Sequence, residues 1–496
     1  MHRTGVRPLS TLVQGFCLLL SLGGCLLTGD PPEPGLDIPK AYDRGPKNPV
    51  VAEAALPPLD WWRGFRSKEL TEVIEAACSA NLDIAAAIAR IVQADANARI
   101  VGAALLPIVD FNGNAQRNQV SKTTGSTSVI NISRSGASFQ IISNDLKATL
   151  AASYEIDFWG KNRSALRAAE QTAVASRYAS EVVGLTTVVA TANAYFQVLA
   201  AQDRLRVARE NVRSASRILD LIQQRFTAGT ASALDLAQQQ SLVDTQRATI
   251  PPLEQTLTLN RNVLAVLIAR SPEHVRIRGG SLNSIAMPRV TPGLPSELLA
   301  QRPDIRQAEA NLAAANANVA NARAQFLPSI RLTGEGGYES AFLKLLLRPE
   351  SVIYTAAAGL TQPIFHGGQL LGNLDLQKGL QDELLQTYRK TVIQAFSDVE
   401  TALNDIRQTA LRVQLQRAVV TSSRRAFDIS EERLRQGTID LVLLTQTQQT
   451  LYAAQDALIQ AQLAHLLAVV SLYQALGGGW LPKPVEAANA VNLPNY

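Results

Sequence analysis

Apolar and polar positions follow two rhythms along this chain. In the first, Tyr178, Val182, Leu185, Val189, Ala192, Phe196 and Leu199 step by four and three residues. Leu444, Thr447, Leu451, Ala454, Leu458, Ala461, His465, Ala468, Leu472 and Ala475 repeat the step over a longer run. A period near 3.5 is a coiled-coil seam, and its small residues let helices approach closely. Residues 163–226 contain no proline and one glycine, Gly184, and 370–436 contain no proline. Each stretch therefore predicts an unbroken helix about 100 Å long, far more than a globular core needs.

The second rhythm has period two. In 147–158, Ala148, Leu150, Ala152, Tyr154, Ile156 and Phe158 alternate with Lys147, Thr149, Ala151, Ser153, Glu155 and Asp157. Val109, Phe111 and Ala115 alternate with Asp110, Asn112, Asn114 and Gln116, and Ile330, Leu332 and Tyr338 with Arg331, Thr333, Glu335 and Glu339. A fourth segment, about 354–364, alternates poorly. No run of 18 apolar residues follows the N-terminal leader, so the expected membrane crossers are these strands. A soluble sheet with one wet face has the same alternation. The links 119–145 and 340–352, taken as outer loops, together with the leader described below, favour the membrane. Four strands cannot close a barrel, for which about eight are needed, so several chains must pool theirs.

The two rhythms are written twice. Asp83-Ile84 opens an Ala-rich stretch ending at Leu106-Pro107, and Asp304-Ile305 opens its counterpart ending at Leu327-Pro328, at an offset of 221. Arg225-Phe226-Thr227-Ala228-Gly229-Thr230 is echoed by Arg433-Leu434-Arg435-Gln436-Gly437-Thr438 at an offset of 208. Each half predicts helix, strand, loop, strand, long helix, tight turn, helix. Asp83 and Asp304 stand where N-caps are wanted, and Pro251-Pro252 should kink or split the helix they interrupt.

Charge changes this picture little. Charged residues make up 18% of 496, the formal net charge is +5, and Lys and Arg are dispersed, which argues against nucleic acid. The first residues change it more. Arg3 and Arg7 precede an apolar stretch, 9–22, and Leu22-Gly23-Gly24-Cys25 resembles a lipobox, where cleavage leaves a cysteine that carries lipid. The alternative is an ordinary signal peptide with an incidental cysteine. Leu26 in place of aspartate favours the outer membrane by resemblance to bacterial lipoproteins. Cys78 then has no disulfide partner. His274, His366 and His465 lack metal-ligand spacing, so no catalytic group, metal or cofactor is expected.

Several motifs carry a resemblance. They are Leu298-Leu299-Ala300-Gln301-Arg302-Pro303-Asp304-Ile305, Gln362-Pro363-Ile364-Phe365 with Gly367-Gly368, Tyr154-Glu155-Ile156-Asp157-Phe158-Trp159-Gly160-Lys161, and Leu472-Tyr473-Gln474-Ala475-Leu476-Gly477-Gly478-Gly479-Trp480. With them the chain resembles the TolC/OprM outer-membrane factors, in particular the NodT-like efflux lipoproteins, over nearly its whole mature length. The resemblance implies a mainly α fold with a small β part: a homotrimer pooling a twelve-stranded barrel and a twelve-helix periplasmic tunnel. It also implies a belt built from residues near the N-terminus, 271–297 and the C-terminus. The implied partners are a periplasmic adaptor and an inner-membrane pump, usually proton-driven, with outer-membrane lipid at Cys25. The helix-turn-helix tips would form the closed periplasmic end and adaptor contact, at Gly229, Thr230, Ser232, Leu234 and Asp235 and at Gly437, Thr438, Asp440 and Leu441. Asp235 is the gate candidate, as three copies would make an acidic ring. Many relatives carry an acid where this chain has Gln446.

The expected divisions are a signal peptide, 1–24; a lipidated segment, 25–68; a first repeat, 69–270; an equatorial linker, 271–297; a second repeat, 298–478; and a tail, 479–496. Strands are expected at 107–118, 147–158, 328–339 and 354–365. Helices are expected at 163–226, 232–270, 304–327, 370–436 and 440–476. The expected function is a passive exit duct for small molecules in a tripartite efflux system with an RND-type pump. The alternatives are the exit duct of type I protein secretion and a periplasmic scaffold lipoprotein.

Overall fold

The computed structural model describes residues 35, 36, 39, 42, 57–119, 142–288, 290, 295–478 and 480. Cys25, the leader and most of the tail lie outside them. In chain order the elements are α1 (Lys68–Ala80), α2 (Leu82–Gly102), β1 (Ile108–Gln119), β2 (Ile142–Ile156) and α3 (Lys161–Thr227). There follow α4 (Ala233–Ala248), α5 (Ile250–Leu267), α6 (Pro295–Gln301), α7 (Pro303–Ala324), β3 (Ser329–Ser340), β4 (Val352–Thr361), α8 (Gln369–Arg435) and α9 (Leu441–Ala475). The repeat survives in the elements. Both ends of β3 stand as far beyond those of β1 as Asp304 stands beyond Asp83, and both ends of α8 as far beyond those of α3 as Arg433 beyond Arg225. Both long helices have 67 residues.

The helix over 232–270 is split beside Pro251-Pro252, as those prolines predict, into α4 and α5; both prolines lie in the first turn of α5, where a missing N–H costs little. Several boundaries differ from the sequence reading for identifiable reasons. β2 starts at Ile142, because Ser143, Asn144 and Asp145 pair with Asn118, Arg117 and Gln116 through backbone alone, without apolar alternation. β4 ends at Thr361, shortly before Pro363, which cannot donate to a ladder. Asn81, not Asp83, caps α2: its Oδ1 accepts from the Asp83 and Ile84 amides at 2.8 and 3.1 Å, while its Nδ2 donates to Leu267 O at 2.9 Å. Asp304 lies inside the first turn of α7 and clamps Arg302 through both carboxylate oxygens, at 3.0 and 2.7 Å. Arg302 also donates to Asp398 and to Ala475 O, so the motif residue ties α7, α8 and the end of α9 together.

The chain divides into two compact units. One holds the sheet with residues 93–173 and 310–385. In it Asp157 caps α3, accepting from the Asn162 and Arg163 amides at 3.0 and 2.9 Å, and Trp159 Nε1 donates to Pro328 O at 2.8 Å. The other holds 34–92, 174–309 and 386–496. Its largest core gathers Trp61, Phe65, Leu70 and Ile74 against Phe196, Leu199, Leu264 and Tyr473. Trp61 stacks on Tyr473 at 4.6 Å, and the Phe65 and Phe196 rings meet edge to face at 5.1 Å. Two carboxylates pin the segment after α5 to this core. Glu69 accepts from the Arg278 and Gly279 amides, and buried Asp203 accepts from Ser281 Oγ and the Leu282 amide. Burial first, then Glu69, pushes the Tyr195 phenol up to about 12. By length and composition α3 and α9 are each apolar enough to cross a membrane, although neither contains an uninterrupted apolar run. About half of each such window is buried against the rest of the chain, so core packing accounts for it.

Candidate functional site

Two features carry the functional geometry: the sheet and the two hairpin tips. The sheet has order β1-β2-β3-β4, all antiparallel. Its register lines up like with like. Phe111, Leu150, Gly336 and Tyr354 form one row, and Val109, Ala152, Gly334 and Ala356 the next on the same face. Between them runs a row of Asp110, Ala151, Glu335 and Thr355 on the opposite face. On that polar face Glu335 accepts from Lys147 Nζ at 2.7 Å and Thr149 Oγ1 at 2.8 Å. Phe111, Leu150, Tyr354 and Leu360, on the apolar face, are all exposed. The fourth strand alternates poorly because its polar-face positions are small or apolar: Ile353, Thr355, Ala357 and Gly359. A sheet largely apolar on one face, polar on the other across β1 to β3, and with no further strand partner for β1 or β4 among the described residues has the form of one sector of a larger cylinder.

The tips are built alike. α3 ends in a left-handed Gly229 (φ 74°) and α8 in Gly437 (φ 70°), a conformation that costs any residue with a Cβ. Gly229 N donates to Phe226 O and Thr230 N to Arg225 O; Gly437 N donates to Leu434 O and Thr438 N to Arg433 O. This double bond is the Schellman closure, which satisfies the last carbonyls of a helix. Thr230 and Thr438 add hydroxyl bonds to the same Arg225 and Arg433 carbonyls, both at 3.1 Å.

The following helices are capped in two ways. Ser232 Oγ accepts from the Asp235 amide at 3.1 Å, and Asp235 Oδ2 accepts from the Ser232 amide at 2.8 Å, a reciprocal capping box. At the second tip Asp440 accepts from the Leu443 amide at 3.0 Å, and Leu443 stands where the box acid would be. Each tip thus keeps one acid, at the third helical position in the first and at the cap in the second. The Asp235 carboxylate is occupied by its capping role, whereas Gln446 is exposed.

Leu234 is 65% exposed, but Leu441 is 4% exposed and packs with Ile222, Phe427, Leu434 and Leu444. Leu441 is therefore a core residue, which corrects the sequence reading. Val442 is the exposed counterpart of Leu234 in the second half. Sequence reading also passed over Arg225. Its guanidinium reaches across from the first tip to donate to Leu434 O at 2.7 Å and Arg435 O at 3.2 Å. The only trace in sequence is that an arginine stands four residues before the turn glycine in both halves.

A family profile described as outer membrane efflux protein matches residues 73–270 and 294–478. The chain is 40% identical over 475 residues to the pyoverdine export outer membrane protein OpmQ of Pseudomonas putida, covering 95% of this chain and 98% of that protein. It is 31% identical over 482 residues to the toluene efflux pump outer membrane protein TtgC of Pseudomonas putida, covering 97% of each. Among solved structures, the CmeC outer membrane channel of Campylobacter jejuni superposes with a TM-score of 0.84 at 26% identity, over 92% of this chain and 96% of that one. With that sheet, those paired long helices and this likeness along nearly its whole length, the chain belongs to the outer membrane efflux protein family and has the fold of its channels.

Proposed function

We propose that three copies of this chain assemble into the exit duct of a tripartite efflux system, held at the outer membrane by lipid on Cys25. The observation that carries the reading is the open, face-sorted sheet. Both edges are unpaired among the described residues, and the apolar face is exposed at Phe111, Leu150, Leu332 and Tyr354, one on each strand. Three such sectors give twelve strands, with lipid outside and the Lys147, Thr149 and Glu335 face lining water. A periplasmic adaptor would dock on the exposed tip residues, Gly229, Thr230, Ser232 and Leu234 on one hairpin and Gly437, Thr438 and Asp440 on the other. Asp235 and Gln446 would stand near the closed end, and of these two only Asp235 is an acid. An RND-type inner-membrane pump would supply the energy and select the cargo. The likeness to OpmQ supports a small exported metabolite such as pyoverdine over a secreted protein.

The duct itself does no bond-making; it supplies a wet path through the bilayer. Purified oligomer reconstituted in a planar bilayer should conduct ions once its tips are opened by mutation. An assembled oligomer that stays silent in every tip variant would overturn the duct and leave the scaffold reading. Replacing Cys25 by serine should abolish fatty-acid labelling of the chain, and persistent label would refute the anchor.

A further inference from the structure

The contact made by Arg225 has an unfilled counterpart. The last carbonyls of a helix lack intrahelical donors and carry the negative end of its dipole, so a guanidinium seats well there. Arg225 fills that place on α8, through Leu434 O and Arg435 O. Carried into the other half of the repeat, the same contact would run from Arg433 to the carbonyls of Phe226 and Thr227 at the end of α3. Locally everything matches: Phe226 O accepts from Gly229 N as Leu434 O accepts from Gly437 N. Yet Arg225 is half-buried in its contact, while Arg433 is exposed and has no side-chain partner among the described residues. Among the described residues, each chain is left with one guanidinium and one pair of helix-end carbonyls that lack the side-chain bond made in the other half.

We infer that Arg433 donates to Phe226 O and Thr227 O of a neighbouring copy of this chain. Alternate hairpin tips are then joined head to tail by one kind of bond, within a chain by Arg225 and between chains by Arg433. A heterologous contact of this kind closes on itself only in a ring, so no tip remains unlatched. The inference rests on the three-copy reading above and adds to it a defined pair of surfaces.

The test uses full-length chains with Cys78→Ala, carrying Arg433→Cys and Thr227→Cys together or singly, treated with a short thiol–thiol cross-linker. Oligomer assembly is checked separately by native mass. The expected result is a ladder of covalent dimer and trimer from the double variant alone. A second measurement guards against distortion by the new thiols. Arg433→Gln should raise the open fraction in planar bilayers by about tenfold or more, the ratio given by losing one hydrogen bond from a charged donor. Arg225→Gln should open it comparably. An assembled oligomer that shows no inter-chain product, or in which Arg433→Gln conducts like the parent, overturns the latch and leaves the duct standing. Failure of any oligomer to form overturns both.

Discussion

α2 and α7 are the same helix written twice, and the chain treats them in opposite ways. α7 buries Ile305, Leu312, Val319 and five alanines between Ala310 and Ala322, whereas α2 buries Ala87 alone. Ile88 and Val92, one turn apart on α2, are 53% and 61% exposed. At the corresponding positions α7 carries Glu309 and Ala313. One copy is thus finished by its own chain, and the other presents apolar surface where its twin presents a charge. Apolar side chains are kept on a surface at that density for something to cover them. Under the proposed three-copy reading, this exposed face of α2 is where a second chain is expected to pack.

The comparison can be broken most severely from the buried side. Leu312→Asp places an unpaired carboxylate in the core of α7 and should cost about 4 kcal/mol or more, enough that no folded chain is recovered and helical circular dichroism collapses. Writing the α7 residues into α2, as Ile88→Glu with Val92→Ala, should leave the chain folded but shift it from oligomer to monomer by native mass. A trimer as robust as the parent would show that this face is not an interface. The two N-termini differ in kind as well. Arg302→Ala removes a clamp with two carboxylates and a carbonyl, and should cost about 2 kcal/mol after allowance for the partly exposed acids. Asn81→Ala removes a neutral cap and should cost about 1 kcal/mol, both read by thermal denaturation.

The smallest expected effect lies at a seam position where the halves differ, Leu257 in the first and His465 in the second. Burial lowers the His465 pKa from its ordinary 6.5, and Nδ1 sits 2.9 Å from Thr409 Oγ1. The unfolded chain then takes up the proton first, so stability should fall as pH drops through the ordinary value of 6.5 and level off below the lower, folded value. His465→Leu, which copies the first half, should flatten that part of the pH profile of melting temperature.

The broad architecture was legible because its signals are local and repeated. The seam positions, the punctuation by Pro107, Pro328, Gly229 and Gly437, and the alternation around Leu150 and Leu332 together define long helices and four strands. The details that escaped depend on contacts far apart in sequence or on a single step of helical phase. Arg225 meets a carbonyl 209 residues away, which no local pattern encodes. Leu441 and Val442 are both plausible surface residues in sequence, but one step of about 100° sends the first into the core and the second outward. Asn81 and Asp83 are both good caps, and the extended backbone at Asn81, with the helix beginning at Leu82, decides between them.

The equal length of α3 and α8 bears on how such a gene can change. Losing or gaining one codon in either helix would slide its tip by about 1.5 Å and turn it by about 100°, pulling Arg225 away from the carbonyls it holds. A compensating change would be required at the matching codon of the other half. Between the strands there is no such matching, since the link from Gln119 to Ile142 is much longer than that from Ser340 to Val352. Length variation in this lineage is therefore expected to accumulate in those strand links, while both long helices are passed on intact.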